Sequence, residues 1–257
     1  MKNGLNTTRL ILGFIAILTA LTVLVWADSD FPFPVRSITE GASSRANLSL
    51  YTPANLTNVM AGNITEINLS AISTTKSWAG YYGEITGTLT LEDASGFVFY
   101  NWSAVEPKGE IYASPNTSVT WTSIGCFEYG AGITLETAED WFGMQDDDAD
   151  GINETFTDDS NTFFEVGSTD IAANTCPATN AFQNGAAVPG NFENVLLTDG
   201  AALLFVTFIE NDEADNAADI QGYNGATHDF QLLVAENGQS NGPDLIATTY
   251  YFWAEIE

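Results

Sequence analysis

Basic side chains are nearly missing from this sequence: six Lys and Arg stand against 34 Asp and Glu, giving a formal charge of −28 and a pI near 4.1. Lys2 and Arg9 precede the N-terminal apolar run, so the rest of the chain holds only Arg36, Arg45, Lys76 and Lys108. Such a surface repels phosphate backbones and anionic lipid head groups, which argues against nucleic-acid binding and makes cations the natural partners. Charged residues of both signs make up only 16% of the chain, so the imbalance comes from absent Lys and Arg rather than from abundant acids. Disorder is a poor explanation, because 45% of the residues are hydrophobic and 12% aromatic.

Histidine is scarcer still. His228 is the single one, and Asp229 beside it cannot orient the ring by adjacency alone; no G-x-S-x-G elbow marks a nucleophile. Zinc spacings, haem motifs and Gly-rich phosphate loops are absent. Paired carboxylates for glycoside hydrolysis carry no weight where 34 acids make a pair at almost any separation. No catalytic residue is therefore assigned, and a non-enzymatic role is expected. Cys126 and Cys176 are the only cysteines, and in an exported chain an even pair reads as one disulfide.

Long apolar runs are limited to one, residues 10–27, LILGFIAILTALTVLVWA. Lys2 and Arg9 precede it, and Val25, Trp26 and Ala27 put modest side chains before Asp28, where a secretory peptidase would cut. The run exceeds the usual signal core of about 7 to 15 residues and only just spans a bilayer. Residues 1–27 are thus a signal peptide or an N-terminal membrane anchor, and the protein is expected outside the cell or on its surface. Residues 28–53, with Phe31-Pro32-Phe33-Pro34, suit an extended linker or a strand donated to a neighbouring subunit.

Residues 54–257 are expected to form one β-sandwich domain, and from Asn63 onward the apolar period is two. Ile67, Leu69 and Ala71 alternate with polar neighbours, as do Ile85, Leu89 and Leu91; Asp93-Ala94-Ser95-Gly96 is turn chemistry, so residues 84–102 predict an antiparallel hairpin. Further strands are predicted over 108–113, 119–122, 195–197, 201–209, 230–235 and 248–256. The continuously apolar run 201–209 suits a strand covered on both faces. A brief helix is predicted over 135–144, with Thr134 or Thr137 near its start and Gly143 near its end. The expected fold is all-β: an antiparallel sandwich of jelly-roll or Ig-like style, with an Asp-rich loop insertion and little helix. Trp78, Trp102, Trp121, Trp141 and Trp253 read as sandwich core before they read as a sugar platform.

Asp146, Asp148 and Asp150 before Gly151 form a D-x-D-x-D-G pattern, in which alternate carboxylates can converge on a calcium ion. Ile152 would add a carbonyl and Glu154 a water-bridged carboxylate. The twelfth position is Thr157, with Asp158 one place late, so the loop departs from an EF-hand. Asn47, Asn55, Asn63, Asn68, Asn101, Asn116 and Asn153 each have Ser or Thr two places on, whereas the asparagines after 153 do not. If the sequons are used, one half of the chain is sugar-covered and the other is buried or faces a partner, which favours a homo-oligomer or polymer.

The stretch Ser77-Trp78-Ala79-Gly80-Tyr81-Tyr82-Gly83-Glu84-Ile85-Thr86-Gly87, the turn at 93–96, Thr175-Cys176-Pro177, Asp229-Phe230-Gln231-Leu232-Leu233-Val234 and Tyr250-Tyr251-Phe252 resemble uncharacterised exported archaeal cell-surface proteins. The resemblance implies an envelope setting and transfers no activity. The expected function is a secreted structural protein of the cell surface, a filament, pilus or envelope subunit. The alternative is a calcium-dependent adhesin or carbohydrate-binding module that meets cell-surface glycans.

Overall fold

The structure, a computed structural model, describes residues 31–46, 60–104, 108–127, 134–157, 160–210, 220–236 and 247–256. In chain order the first strands are β1 (Phe33–Pro34), β2 (Trp78–Gly83), β3 (Gly87–Glu92), β4 (Val98–Ala104), β5 (Gly109–Ser114) and β6 (Gly125–Cys126). Two short helices follow, α1 (Leu135–Trp141) and α2 (Ile152–Thr155). Next come β7 (Phe164–Val166), β8 (Thr169–Ile171), β9 (Ala178–Asn180), β10 (Phe182–Gln183) and β11 (Ala186–Ala187). The last four are β12 (Glu193–Thr198), β13 (Leu203–Phe208), β14 (Phe230–Ala235) and β15 (Tyr251–Ile256). Every described pairing of these strands is antiparallel, which is the all-β class the sequence predicts.

One sheet dominates, in the order β1-β15-β5-β13-β12-β6, with β9 also paired to β12. Its register lines up Leu196, Phe205, Ala113 and Phe252 in one row and Val195, Val206, Tyr112 and Trp253 in the next. Side chains alternate between faces along a strand, so adjacent rows point to opposite sides. Both sides are covered. On the first, Ile111, Leu196 and Phe205 pack against Leu232 and Val234 of β14 and against α1 and α2. On the second, Tyr112, Val195 and Leu204 pack against Phe164, Val166 and Ile171 of the β7-β8 hairpin. The central strand β13 is therefore apolar except at Thr207, as a strand covered on both faces requires.

The layer over the first face is the two-stranded pair β14-β2. Hydrogen bonds tie it down: Asn194 Nδ2 donates to the Gln231 carbonyl at 3.1 Å, and the Leu233 amide donates to Asn194 Oδ1 at 2.8 Å. Thr207, opposite Asn194 across the β12-β13 ladder, also donates to the Gln231 carbonyl at 3.1 Å. The layers thus combine one broad sheet with narrow covers, not two sheets of comparable width.

The predicted hairpin forms as β3 and β4, with Gly96 at φ +81° in its turn. The helix begins at Leu135 with Thr134 as its cap and Thr137 closing a capping box, and Gly143 follows its end at φ +67°. Two expectations are corrected. Residues 119–122 make no strand; Trp121–Ser123 is one 3₁₀ turn, because the Thr120 amide is drawn to Asp199 Oδ2 at 2.8 Å. Residues 63–72 also form none, and Ile64, Ile67, Leu69 and Ile72 are exposed, since no strand of the described chain lies alongside to pair with their alternating pattern. Of the segment 28–53, residues 33–34 are β1; residues 1–30 and 47–53 lie outside the described residues.

Candidate functional site

The Asp-rich loop is the candidate, and its backbone is organised by its own side chains. The Gln145 amide donates to Asp148 Oδ2 at 2.9 Å, and the Gly151 amide to the Asp148 carbonyl at 2.9 Å, so Asp148 closes two successive turns. The Asp150 carboxylate accepts from the Thr75 hydroxyl, while the Asp150 carbonyl accepts from the Trp78 indole at 2.6 Å. Ile152 opens α2, and its carbonyl accepts the Phe156 amide at 2.9 Å. Asp146 is exposed, and Asp158 lies outside the described residues. The Asp148 and Asp150 carboxylates thus accept from different segments, the loop itself and Thr75. Among the described residues no group of three or more His, Cys, Asp or Glu side chains is arranged to hold a metal.

Glu139 is the residue that sequence reading missed. It lies on the inward face of α1 with Leu135, Ala138 and Phe142, and it is 0% exposed. Its Oε1 accepts the Asn153 amide at 2.8 Å, which satisfies a donor in the first turn of α2. Its Oε2 is buried and has no hydrogen-bond partner among the described residues. Burial pushes the Glu139 carboxyl above the usual range; the Asn153 amide opposes this, and the Glu154 and Asp146 carboxylates reinforce it. Helical spacing alone carries the signal, since an acid at i+4 from Leu135 and i−3 from Phe142 must face the core.

The disulfide joins Cys126 of β6 to Cys176 just before β9, with Cα atoms 4.8 Å apart. β6 and β9 lie end to end along the same edge of β12, and the bond sits at their junction. The buried Asn161 fixes the incoming segment: its Oδ1 accepts the Thr175 and Cys176 amides at 2.8 Å each.

Asn63, Asn68, Asn101 and Asn116 are exposed, Asn153 is half-buried with its Nδ2 on Glu154 Oε1 at 3.3 Å, and Asn47 and Asn55 lie outside the described residues. Asn116 lines an open groove of about 520 Å³ with Trp141 and Tyr251. Of the tryptophans, Trp253 is buried and Trp78 and Trp121 are half-buried, meeting Phe205 and Tyr112 edge to face, whereas Trp102 and Trp141 face solvent. His228 sits in a turn against Tyr82 and Tyr223, with Nδ1 3.8 Å from Glu84 Oε1. Burial pulls its pKa below the ordinary value, with the Asp229 charge opposing. No protein-family model matches the chain, no curated protein is found similar to it, and no solved structure matches it.

Proposed function

We propose that this protein is a non-enzymatic structural component of the cell surface, exported by residues 1–27, that assembles with copies of itself as a filament or envelope subunit. The observation that supports this reading is the position of β1. Phe33 and Pro34 pair with Ala254 and Trp253 at the outer edge of the main sheet, and the Val35 amide donates to the Phe252 carbonyl at 3.2 Å. A two-residue strand gives little hold, and the described residues that follow it, 36–46 and 60–74, are almost wholly exposed. Such an arm can seat its strand on its own β15 or on that of a neighbour, and strand addition at a sheet edge needs only backbone hydrogen bonds. The exposed sequons at Asn63, Asn68, Asn101 and Asn116 would put glycans on the arm, the hairpin and the groove rather than on the central sheet.

Deleting residues 28–53 from the exported protein is expected to abolish polymers, seen by electron microscopy of envelope material, while circular dichroism shows the domain still folded. Unchanged assembly of the deletion variant would remove the reading.

A further inference from the structure

The groove at one end of the main sheet is neutral in a chain that is not. It lies where β5 ends, β13 and β15 begin and α1 closes with Trp141, and it encloses about 520 Å³. That is within the range of about 300–1,000 Å³ of small-ligand clefts. Its walls include Asn116, Thr117, Trp141, Ala201, Leu203 and Tyr251; none of the described residues lining it is charged, although the chain carries 34 acids. A cation finds no carboxylate there. Trp141 is 44% and Tyr251 40% exposed, so two aromatic side chains stay open to water in one concave place.

Asn116 makes this groove an attachment point as well as a cleft. The buried Ser114, opposite Tyr251 in the β5-β15 ladder, donates from Oγ to the Leu203 carbonyl at 2.7 Å and accepts the Asn116 amide at 3.2 Å. Asn116 Oδ1 in turn accepts the Ser118 amide at 3.0 Å, which closes an Asx turn over the sequon Asn116-Thr117-Ser118. The carbonyl half of the carboxamide is thus held, while Nδ2, the atom that a sugar joins, makes no hydrogen bond among the described residues. Asn153, the half-buried sequon, commits the same atom to Glu154 Oε1 at 3.3 Å.

A sugar ring suits these walls. It is uncharged, its C–H face packs on an aromatic ring, and its hydroxyls remain in water at the open side. Covalent attachment at Asn116 would hold that ring beside Trp141 and Tyr251 at high effective concentration, an advantage no free partner has.

We propose that Asn116 is N-glycosylated and that the first sugars of its glycan occupy this groove, packed on Trp141 and Tyr251. The inference rests on the export proposed above, which brings the chain to a transferase and its donor, an oligosaccharide carried on a lipid phosphate. Nδ2 bonds to the donor's anomeric carbon and the bond from that carbon to the phosphate oxygen breaks. The lipid phosphate leaves with the electron pair, and one Nδ2 proton passes to a base of the transferase. The seated glycan covers the two aromatic side chains and ties the end of α1 to the start of β15.

The test uses protein isolated from the envelope of its native cells. Chymotrypsin, cutting after Tyr112 and Trp121, releases residues 113–121, and mass spectrometry should find this peptide heavier by whole sugar masses. Ser118→Ala removes the sequon but keeps Asn116 and the backbone amide that it holds. This variant should lose the sugar and lower Tm by about 2 to 4 °C, the shift for losing one aromatic contact in a domain of this size. Ser70→Ala, which removes the sequon of the exposed Asn68, should leave Tm unchanged. Ser118→Ala combined with Trp141→Ala should lower Tm by less than the two separate losses together, because each removes one side of the same contact. A bare Asn116 in envelope material, or strictly additive losses, would overturn the proposal and leave export standing. Protein found only in the cytosol would overturn export and the proposal with it. A bare Asn116 together with binding of free oligosaccharide that Trp141→Ala abolishes would give the groove to another molecule's glycan.

Discussion

His228 illustrates how a residue with catalytic reputation is put to structural use. Its ring completes a three-ring cluster with Tyr82, 4.6 Å away by centroids, and Tyr223, 6.2 Å away, and its Nε2 meets Asn224 Oδ1 at 3.0 Å. Burial lowers its folded pKa, the Asp229 charge opposing, while the unfolded chain keeps about 6.5. As pH falls through that unfolded value, the unfolded state takes up the proton first, so stability is lost below about pH 6.5. Urea unfolding between about pH 7.5 and 5.5 is expected to show this decline, and His228→Asn should flatten it. A variant with the same slope as wild type would assign the decline elsewhere. At this scale the sequence was only partly readable. Turn and cap residues announce themselves because their hydrogen bonds close within a few positions. Glu139 did not, because Asp140 beside it and Glu136 one turn back make it read as one more surface acid, and its burial depends on α1 lying face-down on the sheet. Asn161 and Asn194 are similar: buried and fully occupied by backbone groups, they explain why two of the later asparagines serve as internal struts.

Short elements here stand or fall by their ends. In α1, Thr134 Oγ1 accepts the Thr137 amide at 3.3 Å and Thr137 Oγ1 accepts the Thr134 amide at 3.4 Å. A helix of two turns has little propensity to spare, so Thr134→Ala should cost about 1 kcal/mol in urea unfolding, and no loss would mean that packing of Leu135 and Phe142 suffices. The same locality made the 84–102 hairpin legible from turn chemistry and alternation. β2 escaped notice because Gly80 and Gly83 dilute its pattern and because its partner, β14, lies far along the chain: Trp78 meets Ala235 and Gly83 meets Phe230. Residues 63–72 show the converse, a convincing alternation with no strand among the described residues alongside it. Alternation records which faces a segment would offer; only tertiary structure supplies something to face.

Across the whole molecule, the order of the main sheet beyond the β12-β13 hairpin is set by pairings distant in sequence, and one covalent tie reinforces its far edge. Cys126 and Cys176 are 50 residues apart, and closing such a loop limits the unfolded chain by about 4 kcal/mol on the entropy model. Cys126→Ala with Cys176→Ala should lower the unfolding free energy by about that amount, with earliest hydrogen exchange in β6 and β9, the two strands that share β12. Exchange that begins instead at β1 would show that the opposite margin is the weaker one. That margin carries a further consequence. Pro34 has no amide hydrogen, so β1 cannot complete a ladder on its outer side. The sheet can exchange its last strand but cannot extend beyond it. A polymer built by such exchange is a head-to-tail array with two chemically different ends: one presents a vacant β15, the other an arm with no acceptor, and growth can be stopped by capping either.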